Sequence, residues 1–165
     1  MSGLVHVKGL SEINKFLQEL PAKVEKNILR GALRAGAKPV LEQAKANAPV
    51  KTGVLAKGLK ISTSGKGGTV IAKVKAGGKH AFVAPWLEYG TAPHKITSKG
   101  GGWLFFGGLF AKSIDHPGLS PRPFMRPALD TQANAAVLTA ANYMKNRLAS
   151  KHGIDTADIQ IGDEE

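Results

Sequence analysis

Apolar residues recur at helical spacing near both ends of the chain and alternate at strand spacing in its middle. Leu4-Val5-His6-Val7 reads as a short strand ended by Gly9. Leu10, Ile13, Leu17 and Leu20 then fall at helical intervals, with Ser11 placed to cap a helix that Pro21 closes or bends. From Pro21 to about Ala48 the pattern is helical again. Val24, Ile28, Ala32 and Ala35 form one apolar line, and Leu29, Leu33 and Val40 lie beside it. Pro39 removes a backbone donor inside this segment and predicts a kink.

Between residues 50 and 110 the chain becomes rich in glycine and in β-branched or aromatic residues. Leu59–Ser62 and Thr69–Lys75 predict two strands joined across a Gly/Lys turn, the second with regular alternation. Trp103-Leu104-Phe105-Phe106 predicts another strand, which Ala111 to Asp115 continues beyond Gly107-Gly108, and Ala92 to Gly102 reads as a mobile stretch before assembly. A final helix is the clearest element: Pro127 suits its first position, Asp130 its first turn, and Gly153 its end. Its apolar stripe is Leu129, Ala133, Ala136, Val137, Ala140, Met144 and Leu148, and the many alanines predict close packing on a sheet or another helix. The expected fold is α+β: a small antiparallel sheet with a long kinked N-terminal helix and a C-terminal helix packed on it. A chain of 165 residues fits one domain, taken as residues 1–154, followed by an acidic, flexible tail at 155–165.

Charge changes the picture more than overall composition does. The chain has 23 Lys and Arg against 12 Asp and Glu, a net charge of +11. Five of the acids lie in the last eleven residues, so residues 1–154 carry +16. Such a field favours polyanions or acidic protein surfaces as neighbours. Lys23, Lys26, Arg30, Arg34 and Lys38 stack on one face of the long helix, with no acid at that spacing. They are candidates for contact with an anionic partner or with DNA in a channel. No zinc-finger, helix-turn-helix or aromatic RNA-binding pattern accompanies them, so any DNA contact is to phosphates and without sequence choice.

The residues offer little to catalysis. The chain contains no cysteine, which excludes disulfides, thiolate nucleophiles and cysteine-based metal sites. It has no Gly-x-Ser-x-Gly elbow, no His-Glu-x-x-His and no phosphate-binding loop. The nearest approach to a metal set is Asp115-His116 with His94 or His80, which lacks ligand spacing, and His116-Pro117-Gly118 reads more simply as a turn. No catalytic residue, metal or cofactor is expected. No stretch is long and apolar enough to span a membrane, and nothing at the N-terminus resembles a leader, so the expected compartment is a cytoplasm. Glu88 stands out as the single acid between Gln43 and Ile114. Its expected role is a local salt bridge or a hydrogen bond to the Gly90-Thr91 turn, with a contact between subunits as the alternative.

Three segments in order resemble a known family. The first is Ala48-Pro49-Val50-Lys51-Thr52-Gly53-Val54-Leu55, directly after the long helix. The second is Val83-Ala84-Pro85-Trp86-Leu87-Glu88-Tyr89-Gly90-Thr91. The third is His116-Pro117-Gly118 followed by Pro121-Arg122-Pro123-Phe124-Met125-Arg126-Pro127-Ala128-Leu129-Asp130. Together, from about Leu10 to Asp130, they resemble the neck or tail-completion proteins of long-tailed bacteriophages. The glycine- and aromatic-rich stretch from Gly100 to Phe110 departs from that pattern. The resemblance implies a structural, non-enzymatic assembly protein of the virion, made in the host cytoplasm. It also implies a homo-oligomeric ring, sixfold favoured over twelvefold, between head-connector and tail proteins. Pro49, Thr52, Gly53, Glu88, Gly90, Thr91, Pro121, Arg122, Pro123 and Phe124 carry the motifs and are the candidate assembly residues. Pro49 ends the long helix, Thr52-Gly53 turns the chain into the first hairpin strand, and the prolines stiffen the approach to Phe124, either a core plug or an interface anchor. The alternative function, from the charge alone, is an accessory protein that coats nucleic acid without sequence choice.

Overall fold

One helix of 26 residues, α2 (Ala22–Asn47), is the spine against which the C-terminal helix and the first hairpin pack. The computed structural model describes residues 10–49, 53–66, 68–98 and 100–153, together with Thr156 and Ile161. The strand read at Leu4–Val7, Thr52 and most of the acidic tail lie outside the described residues. Along α2 the buried positions are Ile28, Ala32, Gly36, Val40 and Ala44, followed by Ala48 at its end. A repeat of four exceeds the helical 3.6, so the buried line advances about 40° at each step and winds around the helix. Different elements therefore cover α2 at its two ends. Pro39 lies inside α2 without dividing it, and the carbonyl of Ala35 loses its helical donor there.

Helix α5 (Met125–His152) packs antiparallel along α2. At one end, Ile28 of α2 and Leu148 of α5 share a core with Ile13 and Leu17 of helix α1 (Leu10–Gln18), and Ile161 packs against this cluster. At the other end, Ala44 and Ala48 meet Phe124 and Ala128. Small residues let the helices approach between these clusters: a Cβ on Gly36 would lie 2.5 Å from the carbonyl oxygen of Ala136. Gly153 closes α5 in a left-handed conformation (φ 64°), and its N–H bonds the carbonyl of Leu148.

The β1 (Leu59–Lys66) and β2 (Thr69–Ala76) strands form the expected hairpin, paired from Leu59↔Ala76 to Lys66↔Thr69. It lies across α2 and is entered through a short helix, α3 (Val54–Gly58), which Gly53 starts in a left-handed conformation (φ 68°). Gly53 thus turns the chain into a helix, where the sequence predicted direct entry into the strand. A second short helix, α4 (Val83–Tyr89), follows. Strand β3 (His94–Thr97) pairs with β6 (Ser113–His116), and between them β4 (Leu104–Phe106) turns back into β5 (Leu109–Ala111).

The architecture is α+β, as the sequence predicts, with three two-stranded antiparallel pairs among the described residues where one small sheet was expected. Other differences have local causes. Gly107 and Gly108 both take positive φ (57° and 88°), so the aromatic strand reverses at them instead of continuing to Asp115. The stretch from Ala92 to Gly102 contains β3, held by its pairing to β6. Ser11 lies inside α1, with its hydroxyl on Glu12. Helix α5 begins at Met125, before Pro127, because its first turn is capped from elsewhere in the chain.

Candidate functional site

Phe124 precedes α5 and offers no side-chain oxygen to its first turn, so the free N–H groups there need an acceptor from another element. Glu88 of α4 supplies it. One carboxylate oxygen accepts from the backbone N–H of Phe124 (2.9 Å) and Met125 (3.0 Å). The other accepts from the N–H of Arg126 (3.0 Å) and from its Nε (3.2 Å). Arg126 also donates through Nη2 to the carbonyl of Glu88 and lies 4.6 Å over the Tyr89 ring. A carboxylate here meets the positive end of the helix dipole as well as three N–H donors. Burial pushes the Glu88 carboxyl up, but the N–H groups of Met125, Phe124 and Arg126 and the guanidinium of Arg126 outweigh it, leaving the group below its ordinary range. Glu88 is 4% exposed, so its partners are intramolecular and lie more than thirty-five residues along the chain rather than in the adjacent turn.

The rest of this junction joins the second and third sequence motifs. Thr91 and Leu119 exchange backbone hydrogen bonds of 2.9 and 3.0 Å, and the N–H of Arg122 donates to Leu87 at 2.7 Å. Gly90 has φ 74°, and a Cβ on it would meet the carbonyl of Leu119 at 2.5 Å. Phe124 is fully buried among Ala44, Ala48, Leu59 and Ala84, while Pro121, Arg122 and Pro123 are exposed beside it. Pro49 follows the end of α2, which brings part of the first motif to the same core. The sequence reading did not join Glu88 to the start of α5; its isolation in an acid-poor stretch, taken with a helix start that lacks a capping residue, is the signal that could have done so.

The basic stripe is on the surface. Arg30, Arg34 and Lys38 are exposed and Lys26 is half-buried, while the Lys23 side chain lies outside the described set. Among the described residues no acid pairs with any of the four. A second basic face was missed from sequence. Pairing places Lys60 opposite Lys75, Ser62 opposite Lys73 and Thr69 opposite Lys66 on the outer face of the β1–β2 hairpin. Lysines directly opposite each other repel unless an anion lies between or above them.

Among the described residues, a groove and a hairpin present apolar surface without a covering partner. A groove of about 630 Å³ has α2 as its floor (Leu33, Gly36, Ala37, Val40) and β2 (Ala72, Val74) and α5 (Leu129, Val137, Ala140) as walls. The stripe predicted as buried on α5 is therefore partly open: Leu129 is 54% exposed and Val137 also faces solvent, whereas Ala128, Ala141 and Leu148 are the positions that bury. Periodicity identifies an apolar face but not what covers it. The other surface is the β4–β5 hairpin, where Trp103 is 63% exposed and Phe105, Phe106, Leu109 and Phe110 are similarly open.

Nothing in these arrangements assembles a reacting centre. His94 and His116 stack across β3 and β6 at 5.0 Å, but His94 Nδ1 is bonded to the Ala92 carbonyl and His116 Nδ1 accepts from the N–H of Gly118. Among the described residues no three His, Asp or Glu side chains come together as a metal site, and no helix is long and apolar enough to cross a membrane.

Residues 11–90 match the model of the HK97-gp10_like family, described as "Bacteriophage HK97-gp10, putative tail-component". The match runs from α1 through Gly90 and so takes in the spine helix, the β1–β2 hairpin and Glu88. It ends before the aromatic hairpin and α5. No curated protein and no solved structure matches the chain.

Proposed function

We propose that this chain, whose residues 11–90 match the model of a bacteriophage tail-component family, works as one copy in a ring that joins head to tail. That match supports a structural protein of the phage tail and, with it, of the virion. The finer assignment to the neck or tail-completion region is supported by the ordered set of motifs from Ala48 to Asp130. The observation that carries the assembly reading is the pair of open apolar surfaces, above all the β4–β5 hairpin, where Trp103, Phe105, Phe106, Leu109 and Phe110 are exposed side by side. A ring of copies, six being favoured, would cover them and leave other faces for the head connector and the tail tube. The Glu88 junction fits this role as a rigid corner that fixes α4 against α5.

Electron microscopy of lysates from a phage lacking this gene, beside the complemented control, tests the proposal. The expected result is filled heads and separate tails that fail to join. Tails of abnormal length would move the role to tail termination, and intact infectious particles would overturn the structural reading.

Contact with passing DNA is a second reading, favoured by Arg30, Arg34 and Lys38, which pair with no acid among the described residues, and by the opposed Lys60 and Lys75. Lys75→Glu separates the two consequences of that pair. It places an acid opposite Lys60, so hairpin stability should rise by about 0.5 kcal/mol in a thermal melt. If the face meets phosphates, duplex DNA binding by fluorescence anisotropy should weaken and lose part of its salt dependence. Arg30→Glu with Arg34→Glu should weaken the same binding, with a change in folding stability of only about 0.5 kcal/mol. Binding unchanged in both variants would leave the basic faces as solvated surface.

A further inference from the structure

We propose that the β4–β5 hairpin of one copy seats in the groove between α2, β2 and α5 of the next copy, an inference that rests on the ring reading above. The hairpin is apolar on both faces. Its register places Phe105 opposite Phe110, with ring centroids 5.1 Å apart, and Trp103 falls on the same side. Phe106 faces Leu109 on the other side, and Leu109 is 75% exposed. A two-stranded hairpin of three residues a side has little stability of its own in water, and one with no polar face gains most from insertion into a slot. None of its residues lines the groove of its own chain.

The groove offers what the hairpin lacks. Its lining is aliphatic apart from Arg126. Charge also favours this occupant: the chain carries +11, yet residues 100–111 contain no charged side chain, so the tongue enters a like-charged neighbour without adding to the repulsion. Trp103, Phe105, Phe106 and Phe110 are each about two-thirds exposed, so at roughly 150–250 Å² for full burial they bring about 400–650 Å² of surface, half or more of what one side of a standard interface buries. Donor and acceptor are different patches of the same chain. Such a contact is heterologous, and repeated around an axis it closes a ring instead of stopping at a dimer.

The chain has no cysteine, so two introduced thiols report on the contact directly. Phe106→Cys and Val137→Cys are both at exposed positions and leave the folded core intact. They are supplied together from plasmids to a phage lacking the gene, and the particles are purified, oxidised and resolved without reductant. The expected result is a disulfide-linked dimer from the mixture and monomer alone from either variant by itself. Leu109→Cys with Leu129→Cys provides a second pair, should either first substitution reduce incorporation. Mixed particles that contain the protein but give no dimer from either pair would overturn the seating and leave the ring reading intact. A dimer from Phe106→Cys alone would show tip meeting tip and overturn it too. Absence of the unsubstituted protein from purified particles would overturn both this inference and the proposed function.

Discussion

Glu88→Ala is expected to lower folding stability by about 3 kcal/mol, seen as a fall in Tm of about 10 °C. The loss comes chiefly from the first turn of α5. Three backbone N–H groups, on Phe124, Met125 and Arg126, lose their acceptor together, and two of them lie where water reaches only in part. Hydrogen bonds to a charged acceptor are worth more than neutral ones, and leaving buried donors unmade carries the full desolvation penalty. The ion pair itself contributes less, because the Arg126 side chain is 59% exposed and its guanidinium remains well solvated. Arg126→Ala should therefore lower stability by only about 1 kcal/mol, and the ratio of the two losses in urea titrations checks the assignment. Equal losses would make the pair, rather than the cap, the source of stability.

The same junction sets a direction for acid sensitivity. The Glu88 carboxyl titrates below its ordinary range in the folded protein. Its contribution is thus complete above the range in which the unfolded chain takes up the proton, and it is lost as pH falls through the lower folded value. The stability gap between the wild-type chain and Glu88→Gln should be widest near neutral pH and should narrow on acidification. A gap that stays constant down to the acid transition would mean that the charge of Glu88 contributes nothing.

Much of the scaffold was legible because its elements are long. Helix α2, the β1–β2 hairpin and α5 each repeat their pattern over several turns or pairs, so apolar spacing identifies them despite Pro39. Helices α3 and α4 have five and seven residues, too few to establish a period, and glycine and proline within them argue for loop. The aromatic hairpin was misread because a Gly-Gly pair inside an apolar run fits either a bulged strand or a tight reversal. The Glu88 site was half legible. Its isolation marked it as important, but its partners lie beyond a long intervening segment, and local reasoning favours the nearest turn. The stripe on α5 shows a further limit: of the seven positions read as its buried face only Leu148 is buried, Ala128 and Ala141 bury in place of the others, and Leu129 and Val137 line a groove left open among the described residues.

Substitution of Gly36 is expected to have the other large effect, and comparison with Gly31 isolates its cause. Both glycines lie on α2 facing α5, and alanine at either should gain about 1 kcal/mol of helix propensity. What lies opposite differs. At Gly31 the obstacle is the ring and hydroxyl of Tyr143, the far end of a side chain that can swing aside. At Gly36 a Cβ would lie 2.5 Å from the Ala136 carbonyl oxygen and 3.0 Å from the Ala140 Cβ, both fixed to the helix, so the two helices themselves must separate. Gly31→Ala should therefore be near neutral, whereas Gly36→Ala should lose about 2 kcal/mol and Gly36→Leu about 4 kcal/mol or more, measured by urea unfolding. Equal effects at the two positions would show that the crossing yields as readily as a side chain. Gly36 also lies in the floor of the apolar groove, so helices pushed apart there would widen the slot between α5 and β2. If the chain joins head to tail as proposed, particles carrying Gly36→Ala should lose that joining under conditions where the isolated subunit is still folded, which connects a close contact of α2 with α5 to the surface proposed for its neighbour.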